Sequence, residues 1–252
     1  MRISYQNCLD NLTSTAITVL TAATNYPFIN AQDQRLSQQY RTTAVTSQTI
    51  ILDLGSAISI STAAIISHNF TSSVSVTVDA NTTNSWGSPA TSKTIIYNAG
   101  MMLNFFTPVS YQWWRFTISD PTNTNGYLSM GRIWLGNYIT IDPSSNIDFE
   151  VTKKRSDRVI HGRGQQKFAS KGVDWNEYSL SFPSSNYTMV DSIGTMYDAV
   201  GKHTSVIFCN IDTLRGISNL VEPMYCSIMD DIDFNNEEGR HMTYLLHLQE
   251  EL

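Results

Sequence analysis

Five histidines (His68, His161, His203, His241 and His247) and the acidic run Asp230, Asp231 and Asp233 are the side chains suited to hold a metal or move a proton. Their spacing argues against both. His241 and His247 fall on one face of a predicted strand but stand ~20 Å apart, too far for one ion. The three aspartates lack EF-hand spacing, so a solvated turn is favoured over calcium. Gly162-Arg-Gly164 lacks the preceding strand and following helix of a phosphate loop. No paired carboxylates and no Ser/His/Asp set emerge. The expectation is a chain with no catalytic residue, no metal and no cofactor.

Recognition needs other groups. A sugar requires an aromatic face for its ring and fixed polar groups for its hydroxyls. Arg35, Tyr40, Arg41, His68, Asn69 and Trp86 are candidates for that task. His68 ends an apolar strand, so backbone hydrogen bonding at a strand edge is the competing role. A second constellation is electrostatic. Seven of the sixteen basic residues (Lys153, Lys154, Arg155, Arg158, Arg163, Lys167 and Lys171) lie within nineteen positions. They form either a solvated loop or the polar face of a hairpin, or a docking surface for an acidic partner. The chain carries such an acidic surface itself in Asp230, Asp231, Asp233, Glu237 and Glu238.

The bulk numbers fit recognition. The chain has 252 residues, 41% hydrophobic and only 15% charged, with Ser, Thr and Asn filling the polar surface. The net charge of −6 disfavours nucleic acid as the partner. No stretch reaches the ~18 apolar residues of a membrane span, so no membrane insertion is expected. Ala16 to Ala23 is mildly apolar, but only Arg2 precedes it as a basic residue, which makes a poor targeting signal. Cys8, Cys209 and Cys226 are too few and too scattered for a disulfide framework, which suits folding in a reducing compartment. The Asn-x-Ser/Thr sequons at Asn11, Asn69, Asn81 and Asn186 are expected by chance in so Asn- and Thr-rich a chain.

The elements that must position these residues are strands. Ile50, Leu52 and Leu54, then Trp114, Phe116 and Ile118, alternate with polar neighbours, as do Val74, Val76 and Val78. Trp113 and Trp114 point to opposite faces, so only one belongs in a core, and Trp134 reads as core. Asp120-Pro and Asn125-Gly mark turns. Composition changes near Asp142-Pro-Ser-Ser-Asn146, which places a boundary at about 141. Beyond it, Asn146 to Val151, Trp175 to Phe182, Val206 to Asn210, Met224 to Met229 and His241 to Leu248 read as strands. Tyr187 to Val200 reads as one helix, capped by Ser184 or Ser185 and ended by Gly201.

Three stretches carry a family resemblance: Tyr26-Pro-Phe-Ile-Asn-Ala through Arg35 to Arg41, Thr49-Ile-Ile-Leu-Asp-Leu-Gly55, and Trp113-Trp-Arg-Phe-Thr-Ile118, closed by Gly131 to Gly136. In these the first half resembles the galactose-binding-like jelly rolls of the discoidin, or coagulation-factor C-type, superfamily. The whole chain resembles tail-tip (distal-tail) proteins of long-tailed bacteriophages, through Ser67-His-Asn69, Tyr111 to Phe116, the basic stretch, Val206 to Asn210 and Tyr244 to Leu252. The implied fold is mainly β: a galactose-binding-like β-sandwich at 1–140, then a smaller α+β assembly domain at 141–252, with one helix on a sheet or barrel. The implied role is that of a structural virion protein at the tail tip, assembled in the host bacterial cytoplasm. Its expected partners are itself as a ring-forming homo-oligomer, the neighbouring tail tube and hub proteins, and a host-surface glycan. A carbohydrate-binding module for cell-surface attachment is the alternative. The superfamily's ligand loops lie at one end of the sandwich, where Arg35 to Arg41 would fall. Secreted relatives staple their termini with a disulfide, and Cys8 has no partner near residue 140.

Overall fold

The computed structural model describes residues 1–141, 148–161, 163–185, 187–209, 223–237 and 241–251. The described residues are mainly β with one α-helix, as expected. The described residues of Arg2–Thr140 and Ile207–Pro223 form one compact unit; those of Met1, Ile141–Val206 and Met224–Leu252 form another.

The first unit is built from β1 (Arg2–Asn7), β2 (Ile17–Val19), β3 (Tyr40–Arg41), β4 (Gln48–His68), β5 (Ser75–Asn81), β6 (Thr91–Ile95), β7 (Met101–Ser119) and β8 (Ser129–Thr140). The two sequence segments on either side of Gly55 are one 21-residue strand, β4. Its first half pairs with the second half of β7, from Gln48↔Ile118 to Asp53↔Trp113. Its second half pairs with the first half of β7 and, on the other side, with β8. Register shifts between Asp53 and Ile58, and between Ile60 and Thr62, bend the pair. Gly55 supplies the positive φ (75°) that the first bend needs, and its N–H donates to Asp53 Oδ1.

Two antiparallel layers result. One runs β6-β5-β7-β4 with β2 on β4; the other runs β7-β4-β8-β1 with β3 on β8. Their facing side chains make the core. Ile50, Leu52, Val76, Val78, Trp114, Phe116 and Ile118 come from the first layer, and Ala63, Ile65, Met102, Ile133 and Leu135 from the second. Trp114 is fully buried whereas Trp113 is half-exposed, as their opposite faces require. Trp134 is also buried, but on the face of β8 opposite Ile133 and Leu135. There its indole N–H donates to Ser4 Oγ at 2.8 Å. The short strand β13 (Val206–Cys209) extends the second layer, pairing Ile207↔Ser4, Phe208↔Ile3 and Cys209↔Arg2.

The second unit contains β9 (Asp148–Arg155), β10 (Arg158–His161), β11 (Lys167–Ser170), β12 (Asp174–Ser185), α1 (Tyr187–Val200), β14 (Met224–Ile228), β15 (Asn235–Glu237) and β16 (His241–Glu250). β12 pairs with β9 on one side and β16 on the other, and β16 carries β14 and then β15 along its far edge. Helix α1 buries Val190, Ile193, Met196 and Val200, the stripe its spacing predicts. Gly201 follows at φ 53°. Ser184 and Ser185, expected to cap this helix, lie within β12 instead. The predicted linker 142–146, Gly162, the sequon at Asn186, Asn210 and Glu238 lie outside the described residues.

The basic segment is a β-ribbon. β10 and β11 pair only with each other among the described residues, from Arg158↔Ser170 to His161↔Lys167. Ser156 and Val173 link this hairpin to the β9–β12 ladder through the Ser156 N–H to the Val173 carbonyl, at 3.1 Å.

Candidate functional site

Arg41 occupies the end of the two-residue strand β3, opposite Ser129 of β8. Register therefore places it beside the loop that brings Tyr127 into β8. From the other side the turn Ala23–Tyr26 closes on it: the Ala23 N–H donates to the Arg41 carbonyl, and the Arg41 N–H to the Tyr26 carbonyl. The guanidinium carbon consequently lies 3.8 Å from the Tyr26 ring centroid and 4.9 Å from that of Tyr127. A cation held against two ring faces is attracted by both quadrupoles and loses rotamer freedom before any ligand arrives. Arg41 Nη2 donates to Gln39 Oε1 at 3.2 Å, and Nε is buried with no partner among the described residues. Guanidinium carries five N–H donors, so most of its capacity is unclaimed among these residues.

Asn69 ties the neighbouring loops together. Its amide nitrogen donates to the Tyr127 carbonyl (3.0 Å), and its side-chain oxygen accepts from the Ser129 N–H (2.8 Å). Asn123 in turn donates to the Asn69 carbonyl at 3.0 Å. Asp120, fully buried, gathers the Thr71 N–H at 2.7 Å and the Thr71 hydroxyl at 2.6 Å, with Asn123 also donating to it. Burial pushes this carboxyl upward. The donors from Thr71, Asn123 and Thr122 outweigh that and hold it below its ordinary value.

The six residues singled out in the sequence therefore separate. Arg41 and Asn69 meet at this end, Asn69 as a backbone tie. Tyr40 is a core side chain, 1% exposed, with its ring edge-on to Phe28 and its hydroxyl donating to the Thr21 carbonyl. It offers a ligand no face. His68 plays the strand-edge role: Nε2 bonds the Asn98 carbonyl, Nδ1 accepts the Phe70 N–H, and its ring stacks on Phe70. Burial lowers its pKa, so the neutral form fits these bonds. Arg35 is exposed and paired with Asp33 through two of its nitrogens. Trp86 follows the Asn81 end of β5, whereas Thr71 and Asp120 lie by its Ser75 end. There the Arg115 guanidinium covers the Trp86 ring at 4.7 Å, while Arg115 also bonds Asp79 at 2.6 Å. Tyr26, Gln39 and Tyr127 were missed as site residues. Tyr26-Pro27 and the aromatic next to Asn125-Gly126 were the available signals, being aromatics beside turns.

In the second unit Lys154 pairs with Glu177 at 3.2 Å and Arg155 with Asp174. Arg158, Arg163, Lys167 and Lys171 lie exposed on or beside the hairpin. Asp230 meets His247 at 2.6 Å, and Asp231 meets Lys202 at 2.9 Å and the Tyr197 hydroxyl. Asp233 is exposed beside them. Among the described residues no three His, Cys, Asp or Glu side chains converge as a metal site, and no helix is long and apolar enough to cross a membrane.

No protein-family profile and no curated protein matches the chain. Among solved structures, it is similar to chitosan-binding module 1 of a chitosanase/glucanase from Paenibacillus sp. IK-5, in a selenomethionine-labelled point mutant (18% identity, 52% of this chain and 98% of that one, TM-score 0.41). It is similar also to the family 32 CBM of C. perfringens NanJ in complex with galactose (15%, 55% and 100%, 0.41). A Streptococcus pneumoniae fucose binding module matches at 13% identity over 52% of this chain and 95% of that one, with a TM-score of 0.42.

Proposed function

We propose that the sandwich unit is a non-catalytic glycan-binding module whose ligand end is built on Arg41, Tyr26 and Tyr127. One observation carries the reading: a guanidinium clamped between two partly exposed tyrosine rings, with donors that nothing among the described residues claims. Ring faces and fixed N–H donors are the two requirements of a sugar site. The loops around it present Thr, Ser and Asn hydroxyls and amides, not charges, which suits a neutral hydroxylated ligand. Thiol nucleophiles are disfavoured, because burial pushes Cys8 and Cys209 up to about 11.

Saturation-transfer NMR of the full chain with galactose, fucose and chitotriose tests this. Binding with a Kd of about 1 mM, about −4 kcal/mol, is expected for at least one of them. It should vanish in Arg41→Ala and survive in Trp86→Ala, which alters the opposite end of β5. No transfer to any sugar, or loss with Trp86→Ala alone, would remove the reading.

The tail-tip reading draws on one different observation, the solvent-exposed ribbon β10–β11, a shape suited to a protein packed in several copies. Electron microscopy of the concentrated full chain tests it: closed rings support it, and dispersed monomers count against it.

A further inference from the structure

The hairpin β10–β11 is an unusual surface. Its described residues are all exposed, and among the described residues the sheet it forms has two free edges. A lone two-stranded hairpin is marginally stable in water. This one nevertheless exposes large apolar side chains: Ile160 (47%), Val159 (46%) and Phe168 (59%), with Val173 (59%) at its base. Ile160 and Phe168 sit directly opposite each other on one face, which Arg158 shares. Exposed apolar pairs rimmed by charge mark interaction surfaces. The charge is as lopsided as the apolar content. The 22 residues from Lys153 to Asp174 hold seven basic and two acidic side chains, a net +5 in a chain of −6. The remaining 230 residues thus carry −11.

The same unit offers a complementary surface. Between the pairs Ile228↔Leu248 and Asn235↔Thr243, six residues (229–234) face only four (244–247) of β16. The excess loops out and leaves an open groove of about 480 Å³. Tyr244, Leu245 and Ser181 line it, and Asp230, Asp231, Asp233 and His247 surround it. Leu245 is 43% exposed there. Among the described residues no hydrogen bond or ion pair links the hairpin to this groove within one chain.

We propose that the β10–β11 hairpin of one copy docks into the Asp230–Asp233 groove of a second copy. Ile160 and Phe168 would lie against Leu245, with Arg158 of the same face and Arg163 of the connecting turn against the aspartates. Lys167, on the other face, adds to the ribbon's positive field. Donor and acceptor surfaces differ, so the contact is heterologous and a docked pair keeps one free hairpin and one free groove for further copies. The inference stands on the second unit alone and needs neither functional reading.

Sedimentation velocity of the full chain at low and high salt tests it, with far-UV circular dichroism confirming folded variants. Concentration-dependent association that weakens with salt is expected. The charge reversal Arg158→Glu/Arg163→Glu/Lys167→Glu and the reversal Asp230→Lys/Asp233→Lys should each weaken self-association by about tenfold or more. Mixed together, the two variants should pair again, because the intact hairpin of the groove variant meets the intact groove of the hairpin variant, and the two reversed surfaces also complement each other. Phe168→Ser, which touches no charge, should weaken association too. A monomeric wild type, reversal variants that associate like wild type, or a mixture that fails to recover would each overturn the proposal.

Discussion

Arg132 and Asp10, 122 residues apart, meet at 2.7 Å with the arginine side chain wholly out of solvent. The pair anchors the 3-10 turn Cys8–Asn11 on the outer face of β8. Asn7 bonds the same carboxylate at 3.0 Å, and Arg132 also donates to the Gln32 carbonyl. One cation thus fastens two loops that would otherwise have little reason to lie flat.

Asp10→Asn should lower stability by about 3 kcal/mol, because it strands a buried guanidinium. Urea unfolding should show a lower midpoint at unchanged slope. A midpoint equal to wild type would mean that the pair contributes nothing net.

Gly136→Ala should also destabilise, by about 2 kcal/mol. A Cβ at Gly136 would stand 2.1 Å from the Gln6 carbonyl oxygen, a backbone atom that cannot swing aside. The bulge between Ser4 and Gln6 presses that carbonyl against β8. Thermal unfolding of the variant reads this directly.

Asp120 predicts a pH effect. Its carboxyl titrates below its ordinary value in the folded chain, so the unfolded chain binds the proton more readily. The stabilisation is present above about pH 4 and is lost as pH falls through the folded value. Asp120→Asn should therefore cost about 1–3 kcal/mol at neutral pH. Its gap to wild type should narrow in urea titrations below about pH 4. A pH-independent gap would assign the effect to packing.

The thiols should be slow. With Cys8 and Cys209 pushed up to about 11, Cys8 by burial and the Asp10 charge, their thiolate fraction at pH 8 falls about a hundredfold below that of a free cysteine. Alkylation of the native chain should leave both unmodified for far longer than a model peptide, and denaturant should release all three cysteines at once.

Strand character was readable because it is local. Ile50, Leu52 and Leu54 announce a half-buried strand within five residues, and Met189 to Val200 a helix within twelve. The continuity of β4 was not readable, since Asp53-Leu-Gly55 has the same chemistry whether a strand ends or bends there. The Arg41 cluster was half visible. Arg41 stood out by type, but Tyr26 and Tyr127 reach it only through the β3–β8 register, which no local spacing encodes. Tyr40 misled because alternation tells which face a side chain takes and not what covers that face, whereas the strand-edge role of His68 could be read from its place at the end of an apolar strand.

The bent strands β4 and β7 run through both layers of the sandwich, so neither layer has a complete set of strands without the other. Their register joins residues as far apart as Gln48 and Ile118. The chain must therefore close a loop of some 70 residues before either sheet is whole. Half a sandwich is not a resting place on this route. The unit should assemble late and in one step, and a nick anywhere in the chain between these two strands should leave fragments that fold only when recombined.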